Sequence, residues 1–191
     1  YCMSLNKKRI WYEIFDFIKS VVISLIIVFL MTQFVIKPIR VDGSSMYPTL
    51  KDRQVGFSNI IALRFQEIER FDVVIVFVPQ TNEHLVKRVI GLPNDTIKFV
   101  DDVLFVNGYP VEQPFLDTEY VESKIKEFNL PSFTLDFGPV TLGENEYFLM
   151  GDNRPSSSDS RRFGPFRLSQ IVSKDAYIIY PFNEMHLVIN P

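Results

Sequence analysis

The sequence predicts a mostly β, antiparallel domain behind one apolar helix, on three observations. Residues 21–36, VVISLIIVFLMTQFVI, carry no charge. After Pro38, β-branched and aromatic runs alternate with turn residues, as in FDVVIVFV at 71–78 and LVKRVI at 85–90. No helical pattern of about 10 to 15 residues alternates with these runs, which argues against an α/β fold.

Extending the apolar run back to Phe17 gives a stretch interrupted only by Lys19. At ~1.5 Å per residue, the span 17–37 reaches ~30 Å, the thickness of a bilayer core. Lys19 can snorkel to the headgroups, and Trp11 and Tyr12 suit an interfacial belt. Lys7, Lys8 and Arg9 precede the span, whereas only Lys37 and Arg40 follow it closely. That bias predicts residues 1–16 on the cytoplasmic side and 38–191 outside the cell membrane, in a single-pass arrangement. A cleaved leader is the competing reading, but it needs small residues after the apolar run, and here stand Gln33, Phe34, Val35, Ile36 and Lys37. Pro38 reads as the helix stop.

The strands follow in order. Phe71–Val78 reads as a strand buried on both faces and closed by Pro79. Leu85–Ile90 is a second, ended by Gly91, Pro93, Asn94 and Asp95. Thr96–Val100, the Asp101-Asp102 turn, Val103–Val106 and Asn107-Gly108 make a hairpin meander, the last dipeptide suiting a type I′ turn. Ala176–Tyr180 is a further strand. Residues 112–146 form a variable excursion, within which Thr118–Leu130 reads either as an amphipathic helix or as extended chain.

Composition narrows the function. The 191 residues are 47% hydrophobic and 23% charged, with a formal net charge of −3, as in one globular domain of ordinary size. There is no basic footprint for a nucleic acid, so none is expected as a partner. Cys2 is the only cysteine, and His84 and His186 stand far apart and read as surface residues, so neither a metal site nor a cofactor is expected.

Three segments carry possible chemistry. In GSSMYPTL, 43–50, Ser45 lies between a flexible Gly-Ser pair and Pro48. Alone this is a turn, and a serine becomes a nucleophile only if a neighbour takes its proton. Neither histidine is marked out for that task, and a neutral lysine is an alternative base. An ordinary lysine is neutral in roughly one molecule in 2,500 at pH 7, so the fold must supply ~4.6 kcal/mol, within the reach of burial. Lys87 interrupts an apolar strand, either as such a base or as an exposed edge residue. Neighbours in a strand point to opposite faces, so Lys87 and Arg88 cannot both face one site. The third segment, MGDNRPSSSDSRRFGPF at 150–166, is either a solvated polar loop or a brace whose carboxylates pair with Arg88 and Arg161 and whose serines orient a lysine amine.

In order, the anchor, SMYPTL, ERFDVVIVF, VKRVIGLPND and GDNRPSSSDSRRFGP resemble type I signal peptidases, most of all the single-anchor enzymes of Gram-positive bacteria. The resemblance implies an antiparallel β-sheet peptidase domain of the signal peptidase/LexA-like type, acting on signal peptides of exported preproteins at the lipid bilayer. It assigns Ser45 as nucleophile, its backbone N–H as an oxyanion donor, and Lys87 as general base. It also implies that Met46 lines the substrate cleft, that Ser157 holds the lysine amine, that Asp152 pairs with Arg88 and Asp159 with Arg161, and that Asp72 is structural. Three positions depart from the family pattern. Gly43 stands where some members have a serine donor to the oxyanion, Phe71 replaces the Gly of an Arg-Gly-Asp strand motif, and Pro155 stands where an acid is common. The departures keep open a specialised or non-catalytic factor working with secretion or surface pilus machinery. A LexA-type self-cleaving regulator shares the dyad, but its members are soluble and carry a cleavable N-terminal region.

Overall fold

The apolar segment is helical over a longer stretch than its composition marks. The computed structural model describes residues 2–188, with side chains from residue 9 onward. Helix α1 covers Cys2–Phe34, and Arg9–Phe34 is long and apolar enough to cross a membrane. Its few hydroxyls turn back on the helix: Ser20 Oγ donates to Asp16 O at 2.9 Å, Ser24 Oγ to Ser20 O at 2.9 Å and Thr32 Oγ1 to Val28 O at 3.0 Å. The expected helix end at 37 is corrected to 34, because strand β1, Ile36–Arg40, already contains Lys37 and Pro38. A residue before proline is disfavoured in the α region, so the chain is extended before Pro38 is reached.

Residues 1–36 and 37–191 are separate compact units, and the second is the expected β-rich domain. Its further strands are β2 (Val55–Asn59), β3 (Val73–Val78), β4 (Glu83–Gly91), β5 (Thr96–Val100), β6 (Val103–Val106), β7 (Tyr109–Val111), β8 (Phe137–Thr141), β9 (Glu146–Met150), β10 (Phe166–Arg167), β11 (Ile171–Tyr180) and β12 (His186–Val188). The larger sheet runs β1-β2-β11-β3-β4-β9-β10 with β12 on β11, and the smaller runs β7-β6-β5-β8. The pairings of β2 to β12 are antiparallel.

Strand β3 is buried on both faces, as expected. Val73 and Ile75 join a core with Ile39, Val41, Met46, Leu50 and Ile178, while Val74, Val76 and Val78 join another with Val89, Leu149 and Phe166. Each such side chain contributes ~1.5–3 kcal/mol by leaving water. The smaller sheet is a meander of tight turns. Asp101 and Asp102 take φ of 48° and 65°, and Asn107 and Gly108 take 54° and 85°; type I′ turns demand positive φ at both positions, and short polar residues or glycine tolerate it best.

The 112–146 excursion contains helix α3, Thr118–Phe128. Asp117 caps it by accepting from Tyr120 N at 2.7 Å, and Asn129 ends it in the left-handed region at φ 49°. The half-buried residues Tyr120, Val121, Lys124 and Ile125 line one face, and the Tyr120 ring packs on Tyr47 at 5.1 Å. Two further short helices are α2, Ala62–Phe65, and α4, Ser160–Phe163.

Candidate active site

Ser45 sits in the turn that links β1 to β2. Gly43 enters that turn at φ 92°, a conformation that favours glycine, and its N–H donates to Asp52 Oδ1 at 2.7 Å. The segment after β9 clamps the other side: Asn153 N donates to Ser45 O at 3.0 Å and Asn153 Nδ2 to Ser44 O at 3.0 Å. Met46, expected to line the substrate cleft, is only 1% exposed and packs in the core with Leu50 and Val73. The cleft-lining reading is therefore corrected, because a thioether that anchors the turn from below offers no surface to a ligand.

Lys87 lies on β4, 2% exposed. Its Nζ is 2.7 Å from Ser45 Oγ and donates to Val86 O at 3.0 Å. Burial pushes its pKa down to about 8, the nearby Asp159 and Asp152 carboxylates oppose that shift, and Arg161 adds to it. Roughly one molecule in ten is then neutral at pH 7, against one in 2,500 for an ordinary lysine.

Arg88 turns away from Ser45. Its Nε donates to Asp152 Oδ1 at 2.9 Å and its Nη2 to Asp152 Oδ2 at 2.7 Å, a two-pronged pair with both side chains buried. Thr49 Oγ1 donates to the same carboxylate at 2.6 Å, which ties the end of the Ser45 turn to this pair. Arg88 Nη1 donates to Phe71 O at 2.8 Å, and the guanidinium lies 4.2 Å from the centre of the Phe115 ring. Phe71 itself has φ 77°, where a bulky residue is uncommon, and its ring packs on Phe115 at 5.1 Å. The glycine that the family pattern carries at this position suits that backbone. Asp72 is buried, pairs with Lys174 Nζ at 2.8 Å and accepts from Glu69 N at 2.9 Å, far from the serine in role.

Asp159 accepts from Arg161 Nε at 2.9 Å, Arg161 Nη2 at 2.8 Å and Gly151 N at 3.1 Å. Burial pushes its carboxyl up, but the hydrogen bonds and charge of Arg161 outweigh that and hold it below the usual range. Ser157, expected to hold the lysine amine, has a buried Oγ that is directed instead toward Asp159, where it adds to the lowering of that carboxyl. Both of the Lys87 Nζ bonds go elsewhere. Ser157 is nevertheless a neighbour of the Ser45 turn, since its hydroxymethyl group and the Ser45 carbonyl oxygen both fill the space where a side chain on Gly151 would point.

The residue that sequence reasoning missed is Arg154. It is fully buried, with its pKa lowered to about 10 chiefly by burial. Its Nε donates to Gly151 O at 3.2 Å, Nη1 to Thr134 Oγ1 at 3.0 Å and Nη2 to Gln113 Oε1. It thereby joins the segment after β9 to the excursion. The only signal for it was its place in the GDNRP run. Among the described residues no group of three His, Cys, Asp or Glu side chains is arranged to hold a metal ion.

This fold and site define a class: a β-rich peptidase domain following an apolar helix. Residues 14–180 match the family described as "Signal peptidase, peptidase S26". The chain belongs to that family, in its type I branch, and is a hydrolase. It is 39% identical over 183 residues to signal peptidase I S of Bacillus subtilis (strain 168), covering 95% of this chain and 96% of that one. It is 34% identical over 186 residues to signal peptidase IB of Staphylococcus aureus (strain MRSA252), covering 94% and 96%. A solved signal peptidase I from Enterococcus faecalis V583 is 30% identical, covers 57% of this chain and 97% of that one, and aligns with a TM-score of 0.49.

Proposed function

We propose that this protein removes N-terminal signal peptides from exported preproteins, with Ser45 as nucleophile and a neutral Lys87 as general base. The observation that carries the reading is the 2.7 Å approach of Lys87 Nζ to Ser45 Oγ at a buried amine whose pKa is lowered to about 8.

Neutral Lys87 accepts the Ser45 proton as Oγ attacks the carbonyl carbon of the scissile bond. The oxyanion is stabilised by the Ser45 N–H, which has no other acceptor among the described residues. Gly43 offers no side chain for a second donor. The protonated lysine then gives its proton to the leaving amine. A water that loses its proton to the same lysine hydrolyses the acyl-enzyme and frees Ser45.

Substrate access follows from strand pairing. β4 pairs with β3 from Glu83 to Arg88, but with β9 only from Arg88 onward. The edge of residues 83–87 away from β3 is left for an extended peptide, which would add to it as a strand and bring its carbonyl to Ser45. Helix α1 is the proposed membrane anchor, with the N-terminus cytoplasmic and the β domain outside. Asp152–Arg88 and Asp159–Arg161 brace β4, which carries Lys87, and the segment after β9, which clamps the Ser45 turn.

Ser45→Ala and Lys87→Ala should each abolish processing of a preprotein by detergent-solubilised enzyme while leaving the fold intact by circular dichroism. Ordinary processing by either variant refutes the dyad.

A further inference from the structure

A cavity of about 410 Å³ lies along the segment after β9, on the side of Ser157. Phe133, Leu135 and Phe137 supply apolar lining, and Ser157 and Arg162 supply polar lining. Ser157 connects the cavity to the nucleophile turn, because Ser157 and the Ser45 carbonyl oxygen share the open side of Gly151.

The charges around the cavity are not equally available. Arg161 is committed to Asp159 through two hydrogen bonds. Arg154 is buried and bonded to Gly151, Thr134 and Gln113. The Asp136 carboxylate, which also lines the cavity, accepts from Asp101 N at 3.0 Å. Arg162 is exposed, and its guanidinium donates to Ser158 Oγ at 3.3 Å and lies 5.7 Å from the Phe163 ring centre. It has no carboxylate within ion-pair distance among the described residues.

The two flanks of Ser45 therefore differ in chemistry. On the flank of the free β4 edge, Val86 packs with Ile39, Val41 and Leu50, an apolar setting that suits the small and apolar residues at the end of a signal peptide. Past Lys87 that edge is taken by β9, and the chain after β9 leads to Ser157 and the arginine-lined cavity. A peptide whose signal-peptide end pairs with the free β4 edge would continue past the scissile bond on this second flank, so the start of the mature protein would lie there.

We propose that the cavity receives the first residues of the mature protein and that Arg162 favours a carboxylate among them. The proposal rests on the preprotein reading above and adds a specificity determinant to it. An exposed ion pair of this kind changes binding by about threefold and is screened by salt.

The test uses the full-length, detergent-solubilised protein and preproteins that differ only by a single Glu or Lys at each of the first five mature positions. For at least one position the wild type should show a KM about threefold lower for Glu than for Lys, with kcat unchanged, and high salt should erase the difference. Arg162→Glu should invert the preference, Arg162→Gln should abolish it, and both should cleave a preprotein with an uncharged mature start at the wild-type kcat. Equal Glu-to-Lys ratios in wild type and Arg162→Glu at all five positions overturn the proposal. Because the uncharged preprotein reports on the dyad separately, failure of the dyad reading would appear there and not in the charge ratio.

Discussion

In the proposed dyad, Lys87 sets the pH dependence of the site, because its amine must be neutral to accept a proton. With its pKa pushed down to about 8, the neutral fraction rises from about one tenth at pH 7 to about nine tenths at pH 9. Activity should accordingly rise about tenfold over that interval and level off above it. Arg161 contributes to the lowering through its charge, and it also neutralises Asp159, whose carboxylate acts in the opposite sense. Removing the guanidinium takes away a charge that disfavours the ammonium and uncovers one that favours it. Arg161→Gln should therefore move the rising limb of the kcat/KM profile to higher pH, whereas a change that only loosened the fold would lower the plateau without moving the midpoint. A profile that is flat from pH 6 to 9 in the wild type would contradict a lysine base.

At the scale of elements, the site is a junction between the β1–β2 turn, β4 and the segment after β9. Its tightest point is Gly151, where an added Cβ would run into the Ser45 carbonyl oxygen and the Ser157 side chain. The carbonyl belongs to backbone that also accepts from Asn153 N, so it cannot yield cheaply. Gly151→Ala should displace the nucleophile turn from Lys87 and lower kcat on the order of 100-fold, since small misplacements of reacting groups have that effect. The thermal midpoint should fall by only a few degrees, the scale of about 1 kcal/mol in a domain of this size. Near wild-type turnover would show that the turn is positioned elsewhere.

The same elements explain what the sequence reveals and what it hides. The 96–108 meander was legible because its turns are local, with Asp101-Asp102 and Asn107-Gly108 announcing positive φ. Strand β3 was legible because a two-sided core demands an unbroken apolar run. Strands β1, β2 and β12 were not, since they are short and their pairing with distant partners outweighs local pattern. β11 begins at Ile171, five residues before the recognised run, because polar Ser173 and Lys174 are buried through Ser58 and Asp72. In the site, Ser45 and Lys87 were found by resemblance to known motifs, and only folding brings them together from 42 positions apart. The burial of Met46 and Arg154 depends on tertiary packing that motif order does not encode.

At the scale of the whole chain, the proposed catalytic and anchoring roles fall on two units that divide near residue 36. All of the residues assigned to the dyad and its bracing lie in the second unit, and its cores are built from that unit alone. None of the residues assigned to the proposed dyad lies on helix α1. In the proposed reading its contribution is to confine the enzyme to the surface where a membrane-inserted preprotein is also held, which would raise effective concentration without a new contact. A protein beginning at Lys37 should therefore cleave a soluble peptide spanning a signal cleavage site with a kcat/KM within about threefold of the full-length enzyme. On a preprotein inserted in lipid vesicles it should lose at least 100-fold relative to the full-length enzyme reconstituted in the same vesicles, the lower bound expected of a tether. Equal losses on both substrates would instead mean that the helix is needed for the fold or the site, and the division of labour between the two units would be refuted.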